Sequence, residues 1–280
     1  MATLAERLGY SAGARVLILG CDDLGFCHAA NVGVYEALRQ GVGTTAGLMV
    51  PCPWARAASA AYRGEDVGVK LTVNAEFDLY RWAPLTQAPS LLDGDGGFPR
   101  TITDVWDHAD LSELRRECRA QIERAILWGF DISHLDAHLG AVQIRSEFFD
   151  VYLELALEFR LPLRLSAPGT EANIGFPFRS LAEDEGAVFP DDVLTVPVGA
   201  GPTWLHHAVA DLRPGITEVT LRPAVDSPEL RAIAPDWKER VADHHAIVGS
   251  DALREALDAA GVHRIGYRPL RDLMRGAHIA

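Results

Sequence analysis

Val16-Leu-Ile-Leu-Gly-Cys-Asp-Asp-Leu-Gly25 decides how the rest of the chain is read. Its unbroken apolar start, Val16 to Cys21, suits a strand buried on both faces. Two carboxylates, Asp22 and Asp23, stand at the end of that strand. Helical spacing follows over 29–40, where Val32, Val34, Tyr35 and Leu38 recur until Gly41 stops the pattern.

The same alternation runs outward from this unit. Strands are expected at 46–50, 67–74, 132–136, 162–165, 193–198, 216–221 and 262–267. Helices are expected at 54–62, 147–159, 204–212, 237–248, 250–260 and 269–275. Another starts at Ser112, read as its cap, and carries Leu114, Cys118, Ile122 and Ile126 at every fourth position. Residues 168–192 read as irregular and acidic. Repeated βα units predict an α/β fold, a (β/α) barrel of about seven or eight parallel strands. Residues 1–280 read as a single domain with a long loop insertion at about 75–110, rich in Pro, Gly, Asp and aromatics. Loops of that length in compact domains are usually functional or mobile.

Composition narrows the partners. Lys+Arg number 26 against Asp+Glu 39, a net charge of -13, which argues against nucleic acid and against an anionic membrane surface. No run approaches the length of a membrane span. The start, Met1 to Arg7, lacks the basic-then-apolar order of a signal peptide. Cys21, Cys27, Cys52 and Cys118 form no CxxC pair. Reduced thiols and a cytoplasmic location are the expectation. No hydrophobic stripe demands a homo-oligomer, although pairing through the insertion is compatible with the sequence.

In parallel α/β folds the chemistry sits at the carboxyl ends of the strands. Asp22 and Asp23 meet that condition and could divide the work, one holding a cation and the other accepting a proton. One of them could instead cap the following helix. His134-Leu-Asp136-Ala-His138 alternates along a strand, which puts all three polar side chains on one face. His138 suits a divalent metal, and Asp136 or His134 could orient it. The same residues could be a hydrogen-bonded structural set. Lys70 interrupts an apolar strand and must find a partner or water. Arg222 follows a strand in the same way, with a salt bridge to Asp226 or Glu229 as the plain alternative. Tyr80 and Trp82 could stack on a sugar face or simply pack in the core.

Taken together, these segments resemble the YdjC-like carbohydrate deacetylases. The resemblance rests on 17–25 with Asn31, on Val67-Gly-Val-Lys-Leu-Thr72, and on Tyr80-Arg-Trp-Ala-Pro84. It continues through Ser133-His-Leu-Asp-Ala-His138, Pro214-Gly-Ile-Thr-Glu218 and Ile265-Gly-Tyr-Arg268. It implies a barrel-like deacetylase fold, a divalent metal such as zinc or magnesium, and removal of an N-acetyl group from a small amino sugar. By position, Asp22 then resembles the general base, with Asp23 and His138 as metal ligands. Tyr80, Arg81 and Trp82 would lie in a substrate-binding loop.

Two positions depart from the family. Lys70 stands where a metal-binding His is usual, and Arg222 where the His resembles a general acid. A protonated lysine has no lone pair for a metal. An arginine, with a pKa above about 12, cannot exchange a proton at neutral pH. Three readings follow. Hydrolysis could persist on a metal held by Asp23 and His138, with His134 as the acid. The Lys70 ammonium could instead occupy the space of the metal, paired with Asp23, with Arg222 binding a carboxylate or phosphate, in a metal-independent lyase, isomerase or hydrolase acting on an anionic sugar-like substrate. Or the chain is a sugar-binding pseudoenzyme.

Overall fold

The apolar run starting at Val16 forms β1 (Arg15–Leu24), buried along all but its first residue. The computed structural model describes residues 2–197, 201–249 and 251–276, the side chains of 201–203 excepted. A short helix, α1 (Leu4–Arg7), precedes β1. After it come α2 (His28–Arg39), β2 (Thr45–Leu48), α3 (Ala55–Ala61) and β3 (Val67–Leu71). The chain continues with α4 (Ile102–His108), α5 (Leu111–Leu127), β4 (Ile132–Ala137) and α6 (Ser146–Phe159). Then follow α7 (Gly169–Ile174), α8 (Phe178–Asp184), β5 (Asp192–Thr195), α9 (Gly201–Ala210) and β6 (Gly215–Leu221). Last are α10 (Pro228–Ile233), α11 (Trp237–Val248), α12 (Asp251–Ala259), β7 (His263–Arg264) and α13 (Arg268–Met274).

All the strand pairs are parallel. The order is β4-β3-β2-β1-β6-β5, with β7 against the start of β1, seven strands among the described residues. The sheet curls into a half-barrel. Arg164, just beyond β4, reaches across the interior to Asp22 on β1 and Glu218 on β6. Residues 162–165 join β4 by a single bridge, Leu135 to Leu163, instead of a full strand. Among the described residues, the link from there toward β5 is the Leu163 N–H donating to the Val188 carbonyl at 2.9 Å.

Alternation along β1 sorts its side chains. Leu17 and Leu19 pack into the main core. Val16 and Ile18 join Ile216, Tyr267 and Leu270 in a second cluster, with Ala5 and Leu8 at its edge. That cluster plugs the half-barrel at the amino ends of its strands. Gly20 is small for a reason: a Cβ there would lie 2.6 Å from Glu218 Oε1 and 2.8 Å from an Arg164 nitrogen. At Gly68 a Cβ would sit 2.4 Å from the His134 ring. Three interior side chains, Glu218, Arg164 and His134, occupy the space these glycines leave.

Several local expectations need correction. Asp110 caps α5, its Oδ1 accepting from the Ser112 and Glu113 N–H groups at 2.9 and 3.0 Å. Ser112 lies inside the first turn; a carboxylate there also meets the positive helix end. Residues 168–192 contain α7 and α8 instead of an irregular run. The insertion is ordered by side chains on main chain. Glu117, fully buried on α5, accepts from the Leu85 and Thr86 N–H groups at 3.0 and 2.9 Å. No helix among the described residues is long and apolar enough to cross a membrane.

Candidate active site

Regular alternation along β1 directs Gly20 and Asp22 inward and would turn Asp23 outward. The backbone breaks that rule. Asp23 adopts φ +68, a left-handed conformation that aspartate tolerates better than most L-residues. The β1–β2 register also shifts between Cys21 and Leu24. Irregularities of this kind re-aim side chains. Both carboxylates consequently reach one ammonium: Lys70 Nζ lies 2.7 Å from Asp22 Oδ2 and 3.1 Å from Asp23 Oδ1. Asn31 fixes the turn that follows. Its Oδ1 accepts from the Gly25 N–H at 2.7 Å and its Nδ2 donates to the Trp54 carbonyl at 3.0 Å. Neither aspartate caps α2; Cys27 does, its Sγ accepting from the Ala30 N–H.

Lys70 and Asp136 are register partners on β3 and β4, and Nζ is 3.5 Å from Asp136 Oδ2. Arg164 donates to Asp22 Oδ1 at 2.8 Å, to Asp136 Oδ2 at 2.7 Å and to Glu218 Oε1 at 2.5 Å. Arg240 comes in from α11 and donates to Asp23 Oδ2 at 2.8 Å and Asp236 Oδ1 at 3.0 Å. Burial pushes the Asp22 carboxyl up, but Arg164 and Lys70 outweigh it and hold it below the usual range. Asp23 is buried too, and Lys70 with Arg240 holds it well below that range. Burial disfavours the Lys70 ammonium, yet Asp22, Asp23 and Asp136 raise its pKa. Asp22 and Asp23 are thus held as carboxylates and Lys70 as an ammonium at neutral pH.

A cavity of about 720 Å³ opens over this cluster. Asp22, Asp23, Lys70, His138 and Arg222 all line it, as the sequence led one to expect. His138 Nε2 faces Glu76 Oε2 at 3.0 Å. Arg222 stands at the rim, 40% exposed, with one nitrogen 2.8 Å from Asp236 and its main-chain N–H on Asp243. Its salt bridge is therefore to Asp236, not to Asp226 or Glu229. Apolar side chains, Leu139, Ile144, Val193 and Val196, also line the cavity.

Four expected residues are not brought to the cavity. His134 points inward but lies beneath the floor, stacked on Tyr267 at 3.8 Å between ring centres. Its Nδ1 meets the Ser133 hydroxyl, and Nε2 is without a hydrogen-bond partner among the described residues. Burial keeps this imidazole neutral, its pKa well below the usual value. Tyr80 donates to the Phe26 carbonyl at 2.6 Å. Trp82 Nε1 donates to the Asn74 carbonyl at 2.9 Å. Arg81 is held by the carbonyls of Ala75 and Phe98 and by Asp93. These three side chains fasten the insertion and are not among the residues that line the cavity.

Three cavity residues escaped the sequence reading. Arg164 interrupts the apolar run 162–165 just as Lys70 interrupts its strand, so the signal was there. Glu76 and Arg240 gave none: their roles depend on how the insertion and α11 dock. The implied metal fares badly on the donors present. Asp23 has one oxygen on Lys70 and the other on Arg240, and His138 Nε2 faces Glu76. These residues do not fit a divalent ion. Among the described residues there is no group of three or more His, Cys, Asp or Glu placed to hold one.

Parallel strands plugged at one end and opening on a charged cavity at the other define an α/β half-barrel with an enzyme-like mouth. The YdjC-like protein family matches residues 16–259, and the chain belongs to that family. A carbohydrate deacetylase from Thermus thermophilus is 38% identical over 279 residues, covering 97% of this chain and 99% of its own. A chitooligosaccharide deacetylase from Yersinia pestis is 32% identical over 160 residues, 54% of this chain and 59% of its own. A crystal structure from Enterococcus faecalis, described as a candidate cellobiose-phosphate cleavage protein, superposes with a TM-score of 0.78 at 23% identity. It covers 92% of this chain and 99% of that one, a likeness of fold.

Proposed function

We propose that the protein hydrolyses the N-acetyl group of a small amino sugar held in the cavity. The observation that carries this reading is the ionised Asp22 carboxylate on the cavity floor, beside the Lys70 ammonium at 2.7 Å. The full-length relative named carbohydrate deacetylase supports it. Asp22 takes a proton from water as the water oxygen bonds to the acetyl carbon. The carbonyl oxygen gains the negative charge and faces Lys70, whose 3.5 Å contact to Asp136 is its loosest and the one most easily exchanged. Collapse breaks the C–N bond, and Asp22 returns its proton to the departing amine. Acetate and a free amino sugar result. Arg222 keeps its proton throughout and offers its fork to a carboxylate or phosphate on the sugar.

The pairing that keeps Asp22 ionised also weakens it as a base. That favours a second reading: a site that binds a sugar without turning it over. One experiment separates the two. Purified protein is incubated with N-acetylglucosamine, di-N-acetylchitobiose and their phosphates, and acetate is measured. Under the first reading acetate appears, and Asp22→Asn lowers kcat/KM by about 10²–10⁴-fold. Ligand binding with no acetate, and an Asp22→Asn affinity equal to wild type, would leave only the second.

A further inference from the structure

We infer that the cation of this site is built into the chain: Lys70 fills the place between Asp22, Asp23 and Asp136, and no divalent metal takes it. The inference deepens the reading above by naming the source of positive charge at the reacting centre, and rests on it only for where that centre lies. Three carboxylate oxygens from β1 and β4 converge on Nζ at 2.7, 3.1 and 3.5 Å. An ammonium has three N–H donors and no lone pair, so it matches three acceptors and cannot share them with a metal as a ligand. The Lys70 side chain is 6% exposed and is held by these carboxylates.

The neighbouring donors are committed as well. The second Asp23 oxygen is on Arg240 at 2.8 Å, and the second Asp22 oxygen is on Arg164 at 2.8 Å. Lys70, Arg164 and Arg240 already place three cations against the oxygens of Asp22, Asp23 and Asp136. A divalent ion added at Asp23 would stand against two buried cations with little solvent to screen the repulsion. His138 is left without a metal partner and instead faces Glu76 at 3.0 Å. That pair sits on the cavity wall as a hydrogen-bonded dyad.

The test reads metal directly and does not depend on acetate release. Wild-type protein is equilibrated with Zn²⁺, dialysed against metal-free buffer and assayed by elemental analysis and zinc titration calorimetry. We expect below about 0.1 Zn²⁺ per chain, against about 1 for Lys70→His, which restores a neutral imidazole donor and frees Asp23 of an ammonium. Where acetate release is found, EDTA should change the wild-type rate by less than about twofold. About one Zn²⁺ per wild-type chain, lost in His138→Ala, would overturn the inference, as would abolition of turnover by EDTA. A folded Lys70→His that gains no zinc would overturn the assignment of Lys70 as the excluding group. If that variant does not fold, the wild-type zinc content decides alone. Absence of acetate with every sugar defeats the hydrolase reading and leaves the zinc result standing.

Discussion

At the carboxyl ends of the strands, Lys70, Arg164 and Arg240 are surrounded by carboxylates. In the insertion, Arg81 is surrounded mainly by carbonyls, those of Ala75, Phe77 and Phe98, with Asp93 as its one charged partner. The first arrangement draws charge from β1, β3, β4, α11 and the segment after α6 to a single open cavity. The second ties a long segment to itself. A loop without ladders must satisfy its main chain by other means, and Arg81 is one of them, with Glu117 accepting from Leu85 and Thr86. The lesson is that a buried cation is no sign of a site by itself; what faces it decides. Where carboxylates and a cavity face it, ligand chemistry is available. Where main-chain oxygens face it, the result is architecture.

Breaking each cation in turn sharpens that contrast. Arg164→Leu strips a partner from Asp22, Asp136 and Glu218, all buried together. Uncompensated buried charge makes this the largest loss, about 3–5 kcal/mol in urea denaturation. Arg81→Leu removes donors from the neutral carbonyls of Ala75, Phe77 and Phe98, and leaves Asp93 with Arg100 as a partner. We expect about 1–3 kcal/mol and an unchanged affinity for sugar. Equal losses in the two variants, or a weakened affinity in Arg81→Leu, would erase the distinction.

The strand ends were legible in the sequence because position alone restricts them. A polar residue closing an apolar parallel strand has few places to go except the mouth of the barrel. Asp22, Asp23, Lys70, His138 and Arg222 all follow that logic. The left-handed backbone at Asp23 was not legible, and without it the two aspartates would face opposite ways. The insertion was read least well. Tyr80, Arg81 and Trp82 carry sugar-binding chemistry on paper, but aromatic and cationic side chains on a loop serve packing equally well. Only the docked loop shows which. His134 obeyed its predicted face yet fell one layer too deep, since alternation fixes the side of a strand and not the depth along it.

That depth has a consequence for pH. The folded chain keeps His134 neutral because of burial, with Arg164 nearby opposing a second positive charge. The unfolded chain protonates it below about pH 6.5. A depressed folded pKa means that stability is present above that value and is lost as the pH falls through it. Between pH 7.5 and 5.5 the loss attributable to this one residue is about 1.4 kcal/mol. Chemical denaturation at the two pH values should show it as the difference between wild type and His134→Asn. Identical pH dependence in both proteins would mean that His134 takes up its proton in the folded state and stands closer to the cavity than its stacking on Tyr267 implies.

The smallest expected effect probes the insertion where it meets the turn between β1 and α2. Tyr80 donates its hydroxyl to the Phe26 carbonyl at 2.6 Å, and its ring meets Phe26 edge-on at 5.3 Å and Trp82 at 6.1 Å. The ring is thus engaged by aromatic neighbours and the hydroxyl by main chain. Tyr80→Phe keeps the packing and removes one hydrogen bond, so about 0.5–1.5 kcal/mol of stability should go. Affinity for any sugar that binds should not change, and neither should KM. A raised KM at unchanged stability would place the Tyr80 hydroxyl on the ligand, and the insertion would then belong with the strand ends as part of the site.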